Sequence, residues 1–404
     1  MKKIICLFVS VILSMVSLIN SYGISASVDE IQLISSDSGL QEVVDASVAA
    51  DAQLMTKAKS VLLMEKSSGK VLYSENEHDK LYPASVTKIM AILLVCEALQ
   101  TGKIKISDNV TCTENAASKG GSQIWLEAGE SMSVEELLKA TCVYSANDAC
   151  TLLGEYVSGS EAAFIKLMNE RAVQLGMNDT HFDNCTGLDD TTETHLTSAY
   201  DIALMARELL KYDFVKKYTT IWMDSLRNGT TELVNTNKLV RYYKGITGLK
   251  TGTTEKAGCC VCATAERDSM ELIAVVMGSE NSKDRFSTAE ILLDWGFANY
   301  EIFTPEINNL PENLPVKLGN NDFVAITIPE VTPLLINKGS AEKIIFKTDI
   351  SADITAPVAE NDVLGKISIL IDKKIVAEYE LRASQNVEKL SFIGAMLKLL
   401  KSFS

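Results

Sequence analysis

Histidine is scarce in this sequence, with only His78, His181 and His195 among 404 residues. Cys260 and Cys262 lie close together, but no second cysteine pair follows at the spacing that a zinc site requires. We therefore expect neither a metal site nor a bound cofactor.

Basic residues are also fewer than acidic ones. The sequence has 38 Lys and Arg against 53 Asp and Glu, and the net charge is −15. Binding to a phosphate backbone requires clustered basic side chains, so nucleic acid is excluded as a partner. Hydrophobic residues make up 47% of the chain, which is more than one ordinary core needs and predicts two domains.

The N terminus lacks an apolar run long enough to span a membrane, which takes about 20 residues. Its run from Ile4 to Ile19 follows Lys2 and Lys3 and leads to small residues up to Ser27. This pattern predicts a cleavable export signal at 1–27 rather than a membrane anchor. We expect the mature chain to work outside the cytoplasm.

Eight cysteines remain after the signal, an even number that would permit disulfides in an oxidising compartment. Several of them lie in apolar helical stretches. One strand-like run contains Cys259, Cys260 and Cys262. Small buried hydrophobic side chains are the favoured interpretation, and disulfide pairing stays open.

The stretch 83–99 (PASVTKIMAILLVCEAL) places Ser85 and Lys88 three residues apart where a long apolar helical pattern begins. Residues i and i+3 share a helix face, so the hydroxyl and the amine can meet there. This geometry is typical of a serine nucleophile with a lysine base. Ser85 is therefore the candidate nucleophile.

The four-residue pattern alone is weak, because Ser67 with Lys70 and Ser340 with Lys343 also match it. The first of these pairs flanks a predicted hairpin turn. Of the three copies, Ser85 alone opens a helix, which singles it out.

A second candidate motif, Ser145-Ala-Asn147, lies at a junction between predicted helices at 133–144 and 149–156, where side chains can project into a cleft. Ser133 and Glu136 predict a capping box on the first helix. The literal Ser-Asp-Asn at 107–109 lies in a polar turn and is not a candidate.

The remaining pattern predicts short strands and amphipathic helices before a change to β-type alternation. Predicted strands cover 60–65, 70–74, 122–126, 258–265 and 271–278, and predicted helices cover 161–176, 196–211 and 285–300. Beyond three prolines, the stretch 318–383 predicts an all-β second domain. The predicted segments are an export signal (1–27), a weakly helical lead-in (28–58), a first domain (59–301), a β domain (302–384) and a terminal helix (385–404).

The terminal helix is amphipathic, with Leu390, Ile393 and Leu397 on one half and Lys398 and Lys401 on the other. Such a helix fits a membrane interface, with its lysines facing anionic head groups. Docking on the β domain is the alternative.

Three motifs now stand in order, Ser85-x-x-Lys88, Ser145-x-Asn147 and Lys250-Thr251-Gly252. Together with the stretches AKSVLLMEKSSGKVLY, GLKTGTTEKAG and LLDWGF, they resemble the low-molecular-mass penicillin-binding proteins, which are serine-type D-alanyl-D-alanine carboxypeptidases. The resemblance implies an α/β (α+β) transpeptidase-like catalytic domain, in which helices flank an antiparallel sheet, followed by a small all-β domain and a terminal helix.

The resemblance also implies partners and roles. Stem peptides of peptidoglycan ending in D-Ala-D-Ala would be substrates, β-lactams would acylate the same serine, and the enzyme would lie at the outer face of the cytoplasmic membrane. Ser85 would attack, Lys88 would take its proton, and Ser145 would relay a proton to the leaving amine. Lys250 would lower the pKa of Lys88 by like-charge repulsion and help to bind the substrate carboxylate, while Asn147 would orient the amide.

The strand containing Thr251, Gly252 and Thr253 would pair with the substrate, with the N–H groups of Ser85 and Thr253 as the oxyanion hole. Arg285 either helps to set the carboxylate site, as the resemblance suggests, or forms a surface ion pair. His195 is interpreted as structural, since the lysines supply the base.

Three rival functions share these motifs or the cleft. A class A β-lactamase would need a glutamate-activated water, and the sequence around Glu193 (ETHLT) only partly matches that element. A non-catalytic wall-binding protein would not need the full set of Ser85, Lys88, Ser145 and Lys250. Endopeptidase action on cross-links uses the same acyl chemistry and stays open.

Overall fold

The computed structural model describes residues 41–43, 54–308, 310–328 and 330–401. The predicted export signal lies outside these ranges. Strands are β1 (Gln41–Val43), β2 (Ser60–Glu65), β3 (Val71–Glu75), β4 (Asn109–Thr111), β5 (Ser131–Ser133), β6 (Met223–Leu226), β7 (Thr231–Val234), β8 (Ile246–Thr254), β9 (Gly258–Arg267), β10 (Met270–Ser279), β11 (Tyr300–Phe303), β12 (Asn313–Lys317), β13 (Phe323–Thr327), β14 (Leu334–Asn337), β15 (Ile344–Ile350), β16 (Ile354–Thr355), β17 (Val363–Ile371) and β18 (Lys374–Ala383).

The helices are α1 (Lys88–Gln100), α2 (Glu114–Ala117), α3 (Val134–Val143), α4 (Asn147–Ser158), α5 (Glu161–Gln174), α6 (Ala199–Leu209), α7 (Lys216–Thr219), α8 (Leu239–Tyr242), α9 (Ser282–Asn299) and α10 (Phe392–Lys401). A 3₁₀ turn, Ala84–Thr87, leads directly into α1. The predicted capping box is present at the start of α3, where Ser133 and Glu136 bond to each other's backbone N–H.

An antiparallel sheet in the order β3-β2-β10-β9-β8 forms the centre of the first domain. Successive β2 residues point to opposite faces, so Leu62 packs into one core and Leu63 into the other. Helix α9 covers one face through Leu292 and Leu293, and α1 lies in the core on the other. The predicted sheet flanked by helices is confirmed.

All eight cysteines in the described ranges are buried and free. Seven of the eight lie in the apolar core that contains α1, as the favoured interpretation requires. They therefore serve as small core residues rather than as disulfide partners.

The second domain contains a sheet in the order β15-β17-β18-β13-β12-β16 with its own core around Val316, Val324 and Val387. Its predicted all-β character is confirmed. It joins the first domain through β14, which pairs with β11 and places Leu335 in the core that contains α9. The predicted boundary at 301/302 therefore falls inside β11.

Two local predictions are wrong. The weak helical pattern of 28–58 fails at Gln41–Val43, which form β1 and pair in parallel with β14. The stretch 122–126 is a loop rather than a strand, because Ile124 and Leu126 donate their N–H groups to the Asp148 carboxylate instead of a neighbouring strand.

Helix α10 begins at Phe392, later than the predicted start near Asn386. Phe392 is 85% exposed and Ile393 is 69% exposed. Among the described helices, none combines the length and the apolar character needed to cross a membrane.

Candidate active site

The structure brings Ser85 and Lys88 together at the start of α1. In a 3₁₀ turn the side chains at i and i+3 eclipse, and Lys88 Nζ lies 2.8 Å from Ser85 Oγ. The same amine donates to the carbonyl of Thr186 at 2.8 Å. The lysine is thus held at the serine from two sides.

Burial sets the protonation of Lys88. The side chain is fully buried, and loss of hydration lowers its pKa to about 8. About a tenth of such amines are neutral at pH 7, enough to supply a base. In its neutral form, Lys88 Nζ is a proton acceptor 2.8 Å from the Ser85 hydroxyl.

Lys250 is a second buried amine, on β8, and donates to the carbonyl of Thr251 at 3.2 Å. Burial first, and then the charge of Lys88, lower the pKa of Lys250 well below its ordinary value. Burial is the main cause at Lys88. Repulsion between two amines acts on both of them, so the lowering of the Lys88 pKa by Lys250 stays a prediction.

Ser145 and Asn147 occupy the junction between α3 and α4, where Ser145 has a left-handed backbone with φ of +67°. Asn147 donates through Nδ2 to the carbonyl of Gly120 at 2.6 Å. Ser145 Oγ and Asn147 Oδ1 are buried and have no hydrogen-bond partner among the described residues. Two such atoms are suited to a ligand that enters the cleft.

Strand β8 lies directly against the 3₁₀ turn Ala84–Thr87, which contains the candidate nucleophile Ser85 and is called the nucleophile turn below. A Cβ at Gly252 would lie 2.6 Å from the carbonyl oxygen of Pro83 and 2.9 Å from the amide nitrogen of Ser85. Glycine in the third motif is therefore required by this close approach. It brings the backbone of Thr253 and the amide of Ser85 to the same part of the cleft.

Arg285 is not at the surface, since it is only 7% exposed. Its Nη1 donates to the carbonyl of Gly252 at 3.0 Å and to Thr253 Oγ1 at 2.9 Å. The alternative of a surface ion pair is wrong. The guanidinium is thus hydrogen-bonded to β8, the strand next to Ser85.

Sequence reasoning missed the support that the loop 180–197 gives to the base. Asn184 Oδ1 accepts from the N–H groups of Thr186 at 3.1 Å and Gly187 at 2.7 Å, which fixes the carbonyl that holds Lys88. A Cβ at Gly187 would lie 1.8 Å from the carbonyl oxygen of Ala84. Asn and Gly signal a turn in the sequence, but not the partner of that turn.

His195 has the structural role that was predicted for it. It is fully buried, and burial lowers its pKa to about 4, so the ring is neutral. Its Nδ1 accepts from the N–H of Asp183 at 3.0 Å, and Nε2 therefore donates to Thr87 Oγ1 at 2.8 Å. The ring ties the loop to the nucleophile turn.

Glu193 does not resemble a general base for water. Its side chain is 80% exposed, pairs with Lys256 Nζ at 2.8 Å and accepts from the Tyr82 hydroxyl at 2.7 Å. These contacts and the adjacent lysine lower its pKa. The structure thus offers no support for the class A β-lactamase alternative.

Comparison with protein families matches residues 46–281 to the D-alanyl-D-alanine carboxypeptidase family and residues 306–389 to the C-terminal domain of penicillin-binding protein 5. The chain belongs to this carboxypeptidase family. The chain is 42% identical over 347 residues to D-alanyl-D-alanine carboxypeptidase DacF of Bacillus subtilis. The match covers 85% of this chain and 89% of the relative. The predicted family is confirmed.

Solved structures support the same assignment. The chain is similar to penicillin-binding protein 5 from Haemophilus influenzae, with a TM-score of 0.71 and 30% identity. The match covers 84% of this chain and 99% of the Haemophilus chain. Penicillin-binding protein D2 from Listeria monocytogenes in its ampicillin-bound form matches 61% of this chain and 100% of its own, with a TM-score of 0.56 and 29% identity.

Substitution of Gly187 by Ala is expected to slow acylation by a penicillin at least tenfold, because the new Cβ must push the loop and its Thr186 carbonyl away from Lys88. Gly159→Ala is the matched control. Gly159 has φ of +82° against +86° for Gly187, but no atom within 4 Å of an added Cβ. Backbone strain costs each variant about 1–2 kcal/mol of stability, and the close contact at Gly187 adds to that cost in its variant alone. Equal acylation rates in the two variants, measured by stopped flow, would contradict the role of the loop.

Proposed function

We propose that this carboxypeptidase uses Ser85 to remove the terminal D-alanine from stem peptides of peptidoglycan. The observation that carries the proposal is the 2.8 Å hydrogen bond between Lys88 and Ser85 inside a buried cleft. Ser85 Oγ attacks the carbonyl carbon of the penultimate D-alanine, and neutral Lys88 takes the hydroxyl proton. The negative charge then develops on the carbonyl oxygen, where the N–H groups of Ser85 and Thr253 receive it.

Collapse of the tetrahedral intermediate breaks the C–N bond. Ser145 donates its hydroxyl proton to the leaving nitrogen and regains a proton from the lysine pair, so that free D-alanine departs. A water molecule then hydrolyses the ester on Ser85 and restores the hydroxyl. The unpartnered Ser145 Oγ supports this relay, since no described residue occupies its hydrogen-bonding capacity.

Groups around Ser85 bind the substrate and orient it for attack. The unpartnered Asn147 Oδ1 is suited to accept from the amide N–H of the substrate. The backbone of β8 at Thr251 and Thr253, with Gly252 between them, offers a strand edge with which an extended peptide can pair. Lys250 and Arg285 supply positive charge for the terminal carboxylate of the substrate.

β-Lactams are proposed to acylate the same serine. Their strained amide presents a carbonyl and a carboxylate, as the peptide does. The likeness to a Listeria penicillin-binding protein solved with ampicillin bound supports this proposal.

The enzyme is further proposed to be exported and to lie at the outer face of the cytoplasmic membrane, where its wall substrate is reached. The exposed apolar side chains of α10, including Phe392, Ile393 and Leu397, are the observation that favours contact with a lipid surface. Membership of the D-alanyl-D-alanine carboxypeptidase family supports this proposal, because the proposed peptidoglycan substrate lies outside that membrane.

Replacing Ser85 by Ala is expected to abolish the covalent adduct with a penicillin and the release of D-alanine, because the nucleophilic oxygen is gone. Intact mass spectrometry of the protein after incubation with benzylpenicillin measures the adduct. Ser67→Ala is the control, since Ser67 belongs to another Ser-x-x-Lys pattern and is exposed. An adduct on the Ser85 variant would exclude Ser85 as the nucleophile.

The rate of acylation by benzylpenicillin is expected to rise with pH up to about 8, because Lys88 acts as a base only when it is neutral and its pKa is about 8. Below that pH the rate constant should fall about tenfold per pH unit. Stopped-flow measurements between pH 6 and 9.5, with circular dichroism to verify folding, test this. A rate that is constant or falls across this range would rule out a neutral lysine base.

Ile393→Asp is expected to reduce binding of the purified protein to vesicles of anionic phospholipid at least fivefold, since it puts a charge into the apolar face of α10. Co-sedimentation measures the bound fraction. Ile345→Asp is the matched control, because Ile345 on β15 is 59% exposed and lies in the β domain. If both variants bind as the parent does, α10 is not the lipid contact.

A further inference from the structure

The loop 120–126 presents a large aromatic ring to solvent beside the cleft. Trp125 is 75% exposed, whereas its neighbours Ile124 and Leu126 are buried. Its backbone is left-handed, with φ of +58°. A bulky side chain in that region costs about 1–2 kcal/mol, and such strain persists only where the surroundings enforce it.

The buried carboxylate of Asp148 enforces the conformation from inside. Its Oδ2 accepts from the N–H of Ile124 at 3.1 Å and from the N–H of Leu126 at 3.0 Å, on either side of Trp125. Asp148 is fully buried at the start of α4. The backbone on both sides of the tryptophan is therefore fixed to a helix of the active site.

Arg227 holds the same loop from outside. Its guanidinium donates to the carbonyls of Ile124 at 2.9 Å and Trp125 at 3.4 Å. Glu130 fixes the arginine in turn, with Nε and Oε1 2.6 Å apart. The backbone that carries the indole is thus fixed before any ligand arrives, while the side chain is exposed to solvent.

The other end of the loop forms part of the cleft wall. Asn147 donates its backbone N–H to the carbonyl of Ser122 at 2.7 Å and its side-chain Nδ2 to the carbonyl of Gly120 at 2.6 Å. Trp125 is three residues from Ser122. The loop that carries the exposed Trp125 therefore bonds directly to the residue proposed to orient the substrate amide.

We propose that Trp125 binds the part of the substrate beyond the stem peptide, by stacking its indole against an amino-sugar ring of the attached glycan. The inference rests on the proposed function. Arg285 and β8, which are proposed to receive the carboxylate end, form a different wall from the loop 120–126. The opposite end of the substrate carries a rigid pyranose, whose apolar face matches a flat, exposed ring on a fixed backbone better than a flexible peptide does.

The test compares two substrates in one enzyme, a free stem pentapeptide and the same pentapeptide on its disaccharide. In Trp125→Ala, the ratio of kcat/KM for the disaccharide pentapeptide to that for the free pentapeptide is expected to fall about tenfold, equivalent to about 1.4 kcal/mol. Trp125→Gly should show the same fall, although glycine suits the positive φ. Phe323→Ala, which removes an exposed aromatic of the β domain, should leave the ratio unchanged.

Three results would overturn the proposal. The ratio could stay constant in Trp125→Ala, which would show that the indole does not distinguish glycan from peptide. It could fall in the alanine variant but recover in the glycine variant, which would assign the effect to loop conformation. It could fall equally in Phe323→Ala. Absence of D-alanine release by the parent enzyme from both substrates would instead refute the proposed function.

Discussion

Burial of Lys88 and Lys250 in one cleft is the constraint on which the rest of the structure depends. Taking an ammonium group out of water is costly unless it is neutralised or paired. Within the described part of the chain, hydrogen bonds to Ser85 and to the carbonyls of Thr186 and Thr251 surround the amines, and neither forms an ion pair. The site therefore disfavours charge on either lysine and keeps a base available.

This arrangement links substrate binding to the base. A carboxylate entering beside Lys250 stabilises its charged form and raises its pKa, which burial had lowered. A charge on Lys250 in turn disfavours a charge on Lys88, because the two amines repel each other. We infer that the correct substrate completes the protonation pattern that the reaction needs, with Lys250 charged and Lys88 neutral.

The rigid surroundings explain why the cleft holds its shape in spite of this cost. Gly187 and Gly252 let a loop and a strand approach the nucleophile turn more closely than any Cβ would permit. His195 adds a hydrogen bond from the same loop to Thr87. The nucleophile turn is thus enclosed on two sides by backbone, which moves less than side chains would.

Much of the site could be predicted from the sequence because its chemistry is local. Ser85 and Lys88 are three residues apart, and helical geometry alone places them together. The proximity of Lys250 to Lys88 could be predicted only through the family resemblance, since distant segments meet by tertiary packing. The Thr186 carbonyl could not be predicted at all, because a backbone acceptor leaves no signature in the residue type.

The stretch 122–126 shows why the rest was missed. Its composition favours a strand, and a strand requires a neighbouring strand to satisfy its N–H groups. Here the carboxylate of Asp148 satisfies two of them, so the loop keeps a conformation that local preference opposes. Conflicts of this kind tend to mark functional positions, since a fold retains strain where something else requires it. Asp148 follows Asn147 directly, so one turn of α4 bonds to both ends of the loop 120–126. Asn147 holds Gly120 and Ser122, and Asp148 holds the residues on either side of Trp125.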